Sequence, residues 1–271
     1  MSARKDRLRG DVPAWLGQAR AAAARPPASR REPVLLVTGG PAIGSVEPAL
    51  AAAMVTAGLP LTRRGTGWTV VGPADASLAA IADWLVDQPL GRRRRGELLP
   101  VVDDTGRMLA GIERGVARVL GLRTFAVHLS GRAADGRFWV QQRAFDKATD
   151  PGKWDTLMGG QMAAGESIAT TLERETAEEA GLAMSQLVGL TRGPDVAIRR
   201  PVAEGWMDER IAVFRAVLAE GASPSNRDGE VVRFDCLEEG VLRRRLATGD
   251  FTLEATLILG AELEPGAGER G

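Results

Sequence analysis

The stretch from Gly160 to Leu182, GQMAAGESIATTLERETAEEAGL, constrains this chain more than any other. Ile168, Leu172, Thr176 and Ala180 recur every four residues, which predicts a helix with one apolar stripe. Ser167 stands where an N-cap belongs, and Gly181 supplies the left-handed stop that ends a helix. At about 100° per residue, Glu175, Glu178 and Glu179 fall within one sector of roughly 100° bordering that stripe. Like charges three and four residues apart repel by about 0.2–0.5 kcal/mol per pair, so an isolated helix gains nothing from them. A hard divalent cation turns that cost into a binding site, because Mg2+ takes carboxylate oxygens together with substrate phosphates. Arg174, beside the first acid, can orient a carboxylate through its planar fork. On charge alone the segment also reads as a solvated, Glu-rich surface helix.

Spacing separates the two readings. Gly160, Glu166, Arg174, Glu175, Glu178, Glu179, Gly181 and Leu182 match G-x5-E-x7-R-E-U-x-E-E-x-G-U, where U is apolar. At roughly one in fifteen per identity, the seven identities arise by chance about once in a hundred million starts. The chain therefore resembles the Nudix hydrolases. One position departs, since Thr176 stands where that family usually carries Leu, Ile or Val. Its methyl still packs, so the departure touches the core side of the helix more than the chemistry.

The 271 residues are enough for one large domain or two small ones with a substantial core. Net charge is zero, but residues 1–120 hold 17 Lys/Arg against 11 Asp/Glu, and residues 121–271 hold 18 against 24. An acidic half suits a cation site and a basic half beside it suits an anionic substrate; mutual attraction across an interface would serve equally. Cys236 is the only cysteine and His128 the only histidine, which excludes an intrachain disulfide and argues against structural zinc or a Cys–His nucleophile. No apolar run has the length of a membrane span, and MSARKDRLRGD lacks the apolar core of a secretory signal. A cytoplasmic protein without membrane contact is expected.

Along the chain, residues 1–31 form an Arg/Ala-rich arm, in which Trp15, Leu16 and the alanines to Ala24 predict one docking helix or a mobile segment. Strands are expected at 33–37 and 68–71, with a Gly39-Gly40-Pro41 turn between them, and helices at 47–57 and 77–86. Arg92–Arg95 reads as a solvated loop, because no aromatic interleaving supports nucleic-acid binding. Leu98–Val102 reads as a strand and Ile112–Leu120 as a helix. A boundary at Gly121 divides a small α/β domain, 32–120, from a second domain, 121–262, with a tail at 263–271. In the second domain, Thr124–Leu129 and Phe138–Arg143 predict a hairpin. His128 within its apolar strand reads as packed rather than ligating. Further strands are expected at 187–190, 211–218 and 230–235, and closing helices at 237–246 and 252–263.

The Nudix resemblance implies an α/β/α sandwich with a mixed sheet, here preceded by a smaller α/β lobe. It implies hydrolysis of a diphosphate linkage in a small-molecule substrate, which requires charge neutralisation, a positioned water and a base. By the same resemblance Glu175, Glu178 and Glu179 bind Mg2+, or Mn2+ in its place, with the Gly159 carbonyl as a further ligand. Members of the family differ in the base; here Glu175 or the downstream Glu230 fits, and Glu209 is a second candidate. A narrower likeness covers most of the chain. Pro151 to Glu166 (PGKWDTLMGGQMAAGE), Asn226 to Val231 (NRDGEV), Gly96 to Val101 (GELLPV) and Ile112-Glu113-Arg114 are similar to the Nudix domain related to fungal thiamine pyrophosphokinase and to the domain preceding it. That likeness implies cleavage of thiamine diphosphate, or an oxidised relative, to the monophosphate and phosphate. Trp68 or Trp84 would stack on the ring, and a site without an acid beneath the ring would favour the oxidised, uncharged form. A nucleotide or ADP-ribose pyrophosphatase and a non-catalytic Nudix ligand sensor are the alternatives. Isopentenyl-diphosphate isomerase needs a cysteine on an early strand, whereas Cys236 follows the helix.

Overall fold

Strand-forming runs on the two sides of Gly121 build separate sheets. The computed structural model describes residues 12–36, 40–88, 90–91 and 96–264. Helix α1 (Ala14–Ala23) comes first, burying Leu16, Ala19 and Ala23 on one face. Strands β1 (Glu32–Leu35) and β2 (Ala42–Val46), helix α2 (Pro48–Thr56), strands β3 (Leu61–Arg64) and β4 (Gly67–Val70) and helix α3 (Ala74–Asp87) follow. The four strands form a sheet in the order β2-β1-β4-β3, parallel only between β1 and β4. Strands β5 (Leu98–Val102) and β6 (Met108–Glu113) make a separate hairpin. One apolar cluster, running from Val34 through Met54, Trp68, Leu78 and Ile112 to Leu122, fills the space among these elements. The expected strands and helices are present here to within a few residues, except that Val37, Gly39 and Arg92–Arg95 lie outside the described residues.

The helix expected over Ile112–Leu120 is not formed. Ile112 and Glu113 complete β6, and Arg114–Val116 make a single 3-10 turn. A tight turn decides this. The Asp103 carboxylate accepts the backbone N–H groups of Thr105 and Arg107, and Gly106 takes φ 86°, so the chain reverses and pairs out to Leu98 and Glu113. Gly115 weakens the competing helix by about 1 kcal/mol relative to Ala.

Strands β7 (Arg123–Arg132), β8 (Phe138–Arg143), β9 (Trp154–Asp155) and β10 (Met158–Gln161), helix α4 (Ile168–Ala180), strands β11 (Leu187–Arg192), β12 (Val196–Val202), β13 (Gly205–Leu218) and β14 (Val231–Leu237), and helices α5 (Glu239–Thr248) and α6 (Leu253–Glu262) complete the chain. Their strands form one mixed sheet whose main path is β11-β13-β7-β8-β14, parallel between β13 and β7. Alternation along β7 gives the sheet two covered faces. Val127 and Leu129 pack with Leu172 and Ala180 of α4. Ala126 packs with Ile211 and Val213 of β13, with Leu257 and Ile258 of α6, and with Ala19 and Ala23 of α1. The result is an α/β/α sandwich. Among the described residues no helix is long and apolar enough to cross a membrane.

One irregularity positions the site. Strand β7 pairs with β8 only at Gly131 and Arg132, then with β10 from Ala126 to Leu129. The sheet therefore splits between β8 and β10. Side chains from α4 on one face and from the α6 side on the other reach the same opening.

Candidate active site

Helix α4 carries the acids, and its ends form as its residues dictate. Ser167 Oγ accepts the Thr170 N–H at 3.1 Å, and Gly181 closes the helix at φ 62° with its N–H on the Ala177 carbonyl. A side chain at Gly181 would also strike the Ser225 carbonyl, at 2.6 Å from a β-carbon. Gly181 is thus a structural member of the motif.

Arg174 organises the others. Its Nε and Nη2 hold the two oxygens of Glu166 at 2.6 and 2.9 Å, and its Nη1 holds Glu175 and Glu178 at 2.9 and 3.0 Å. Arg174 keeps the Glu166 carboxyl down to about 2, so this clamp persists through the neutral range. Glu175 lies against the backbone of Gly160: a β-carbon there would stand 1.9 Å from the Glu175 carboxyl carbon. Glu179, 3% exposed, accepts Gln141 Nε2 at 2.9 Å and the Gly159 N–H at 3.1 Å. Burial pushes both Glu175 and Glu179 up to about 7. Glu178 is half exposed at the rim.

Gly159, Gly160, Glu175, Glu179 and Glu230 line one cavity of about 180 Å³. Lys147, Arg143, Arg114 and Arg118 line it as well, the last two coming from the turn after β6. Lys147 is ion-paired with Glu230. Burial raises the proton affinity of Glu230, but Lys147, Arg114 and Arg143 together bring it below the ordinary glutamate range. The basic part of the chain thus contributes cations to the cavity that the acids floor.

The cavity continues on the α6 face of the sheet, along His128, Thr124, Glu209, Thr252 and Glu254. His128, read from sequence as a packed strand residue, is buried yet lines the cavity wall. Its Nδ1 lies 2.9 Å from Thr156 Oγ1, and burial lowers its pKa. Glu209 Oε1 accepts Thr124 Oγ1 at 3.0 Å and Gln161 Nε2 at 2.9 Å. Glu254 is partly buried, and its carboxyl is pushed up to about 7 by burial and then by Glu209. Trp68 and Trp84, expected at the ring end, do not line the cavity. Both belong to the apolar cluster of the first sheet, where Trp68 Nε1 donates to Glu32 at 2.8 Å. Cys236, on β14 beside Arg137, is not in the cavity wall either.

Glu254 gives a pH test. A raised folded pKa contributes stability that is complete below the unfolded value of 4.5 and is lost as pH rises through about 7. Glu254→Gln is therefore expected to raise Tm at pH 8 and to leave it unchanged or lower at pH 4.5. Thermal unfolding at the two pH values checks this, and equal shifts at both would refute it.

The donor chemistry suits a hard divalent ion. Glu175 is partly buried and Glu179 buried, and desolvation raises both carboxyls although Arg174 offsets it at Glu175 and Lys147 at Glu179. Among the described residues no three His, Cys, Asp or Glu side chains are already arranged to hold a metal. Arg174 draws Glu175 and Glu178 onto itself instead, so ion binding requires those carboxylates to turn from it.

Comparison with known proteins places the second sheet and its helices in a family. The family model of the NUDIX domain matches residues 122–254. An uncharacterized Nudix hydrolase of Streptomyces coelicolor is 31% identical over 159 residues, which cover 57% of this chain and 82% of that protein. The chain belongs to the Nudix family. Another Nudix relative, the chloroplastic Nudix hydrolase 24 of Arabidopsis thaliana, is 33% identical over 155 residues, covering 52% of this chain but only 40% of its own length. The crystal structure of DR0079 from Deinococcus radiodurans shares the fold, with a TM-score of 0.50 and 20% identity over 61% of this chain and 98% of that one.

Sequence reasoning did not find Lys147, Gln141, Gln161 or Glu254. Lys147 sits in an irregular loop with no motif around it. Glu254, a first-turn acid of α6, is the kind of residue that favours any helix N-terminus. Gln161 was visible inside the box, but its bond to Glu209 depends on pairing β10 and β13 on either side of β7.

Proposed function

We propose that this Nudix protein hydrolyses the diphosphate of a small organic diphosphate. The observation that carries this is one cavity shared by the buried acids of α4 and by Lys147, Arg114 and Arg143. Glu175, Glu178, Glu179 and the Gly159 carbonyl would hold Mg2+ or Mn2+. A cation held there supplies positive charge against the charge developing on the bridging oxygen. Arg174 fixes the carboxylates, and Lys147 and Arg114 attract the anionic end of the substrate. Glu175 or Glu230 takes the proton of the attacking water. Glu230 can do so once the phosphate draws Lys147 away from its Oε2. Oxygen from water joins the terminal phosphorus, the bond from that phosphorus to the bridging oxygen breaks, and monophosphate and inorganic phosphate leave.

The division at Gly121 belongs to the same proposal: residues 121–262 are the catalytic domain and residues 32–120 a lobe that contributes Arg114 and Arg118. Separate sheets and an apolar cluster spanning Val34 to Leu122 support it. Within the arm, 1–31, residues 14–23 form a docked helix, and residues 265–271 of the tail lie outside the described residues.

Thiamine diphosphate or an oxidised relative is the substrate we infer from the motifs on both sides of the box. A preference for the oxidised, uncharged form presupposed a ring end without acids. Glu209 and Glu254 line that end, so intact cationic thiamine diphosphate is not disfavoured. The test compares kcat/KM for thiamine diphosphate, its oxidised form and ADP-ribose at one Mg2+ concentration. Thiamine forms should lead. An ADP-ribose advantage of about tenfold overturns the substrate assignment, and no Mg2+-dependent phosphate release from any of them favours a ligand sensor.

A further inference from the structure

The cavity has a second end that hydrolysis does not use. Glu209 is 5% exposed, and its Oε1 is occupied by Thr124 and Gln161. Its Oε2 carries no hydrogen bond or ion pair among the described residues. Glu254 lies at the same end on α6, and its carboxyl carries no side-chain hydrogen bond or ion pair among the described residues. Arg114 pairs with Glu97, Arg143 with Asp155 and Lys147 with Glu230, and among the described residues no cation of the cavity wall, Arg118 included, forms an ion pair with either carboxylate. A third group is a histidine. Thr156 Oγ1 gives its hydrogen to the Met158 carbonyl at 2.8 Å, so it accepts from His128 Nδ1 at 2.9 Å. Nε2 of this ring, in a side chain 6% exposed, has no partner among the described residues and lies beside the same space.

We propose that this end is a recognition chamber for the organic half of the substrate and selects a nitrogen heterocycle bearing an exocyclic amino group. Glu209 Oε2 and His128 Nε2 are open acceptors, and Glu254 joins them above its titration near 7, so an amino group supplies hydrogens where an oxo group in its place brings two more lone pairs. Leaving a buried carboxylate oxygen unpaired is costly, and a site built around such an oxygen rejects the analogue that cannot fill it. Sheet alternation explains how the chamber stays apart from the phosphate end. Thr124 and His128 on β7, with Glu209 on β13, face α6, whereas Glu175 and Glu179 come from α4 on the other face. A substrate passing through the split between β8 and β10 would place its diphosphate on one side and its ring on the other.

The proposal rests on the diphosphate reading for its geometry, so its test is made without phosphate or metal. Calorimetry on the full chain in EDTA would compare thiamine with oxythiamine, and adenosine with inosine; each pair exchanges one amino for one oxo group. In one pair the amino form should bind about tenfold more tightly or better, which also identifies the ring type. Glu209→Gln should narrow that gap to about threefold or less, while Glu178→Gln, outside the chamber, should preserve it. If Glu209→Gln does not fold, the less buried Glu254→Gln serves the same comparison. Equal binding within both pairs, no binding by any of the four, or an unchanged gap in the chamber variants overturns the proposal. Amino selectivity that persists without Mg2+-dependent hydrolysis of any diphosphate would sustain the chamber and remove the hydrolase reading instead.

Discussion

Replacing Glu179 by Gln is expected to lower kcat about a thousandfold while the protein stays folded, the scale seen when one preorganised electrostatic contact is removed from an active site. Glu179 is the acid most deeply set, with Gln141 and the Gly159 N–H both bonded to Oε2. A glutamine fits the same space and can still present a carbonyl oxygen to those donors. What it loses is the negative charge, and that is the quantity a divalent ion needs. Phosphate release across a Mg2+ titration, with circular dichroism as the control for folding, is the measurement. Near wild-type turnover at saturating Mg2+ would remove Glu179 from the site.

Gly160→Ala should cost about a hundredfold in turnover without touching any charged group, the effect expected of a misplacement near 1 Å. The added methyl would stand 1.9 Å from the carboxyl carbon of Glu175 and 2.1 Å from its Oε1. Glu175 must then swing off the β10 backbone, and its bond to Arg174 Nη1 is strained with it. Because the side chain can move, stability should fall far less than activity. A Tm close to wild type with unchanged kcat would show that the position of Glu175 against Gly160 is immaterial.

Much of the α4 site was legible in the sequence because its order is local. Ser167, Arg174, Glu175, Glu178, Glu179 and Gly181 lie on one helix, where 3.6-residue periodicity fixes who neighbours whom. Arg174 beside Glu175 was legible in the same way, but its clamp on Glu166, which lies ahead of the helix, was not. The chamber was not legible, since Glu209, Glu254, His128 and Thr124 come from β13, α6 and β7, and their meeting depends on strand order. The segment after β6, whose 3-10 turn begins at Arg114 and is followed by Arg118, was misread as helix for a related reason. Its conformation is set by hairpin pairing from Leu98 to Glu113, and apolar spacing alone does not report pairing. The expected tryptophan platform failed because apolar burial, with Glu32 satisfying the indole of Trp68, outweighs any use of that ring at the cavity.

Helix α1 precedes the first sheet in the chain but packs against α6 and β12 of the second. The segment from β1 to β6 thus leaves from, and returns to, the same sandwich, where its entry helix and β7 are both anchored. It behaves as a closed loop tied at two points, not as a pendant joined by one hinge. Arg114 and Arg118 therefore sit on a roof held at both of its ends. Wide excursions, which would carry those arginines out of the cavity, require α1 to detach and expose Leu16, Ala19 and Ala23 to water.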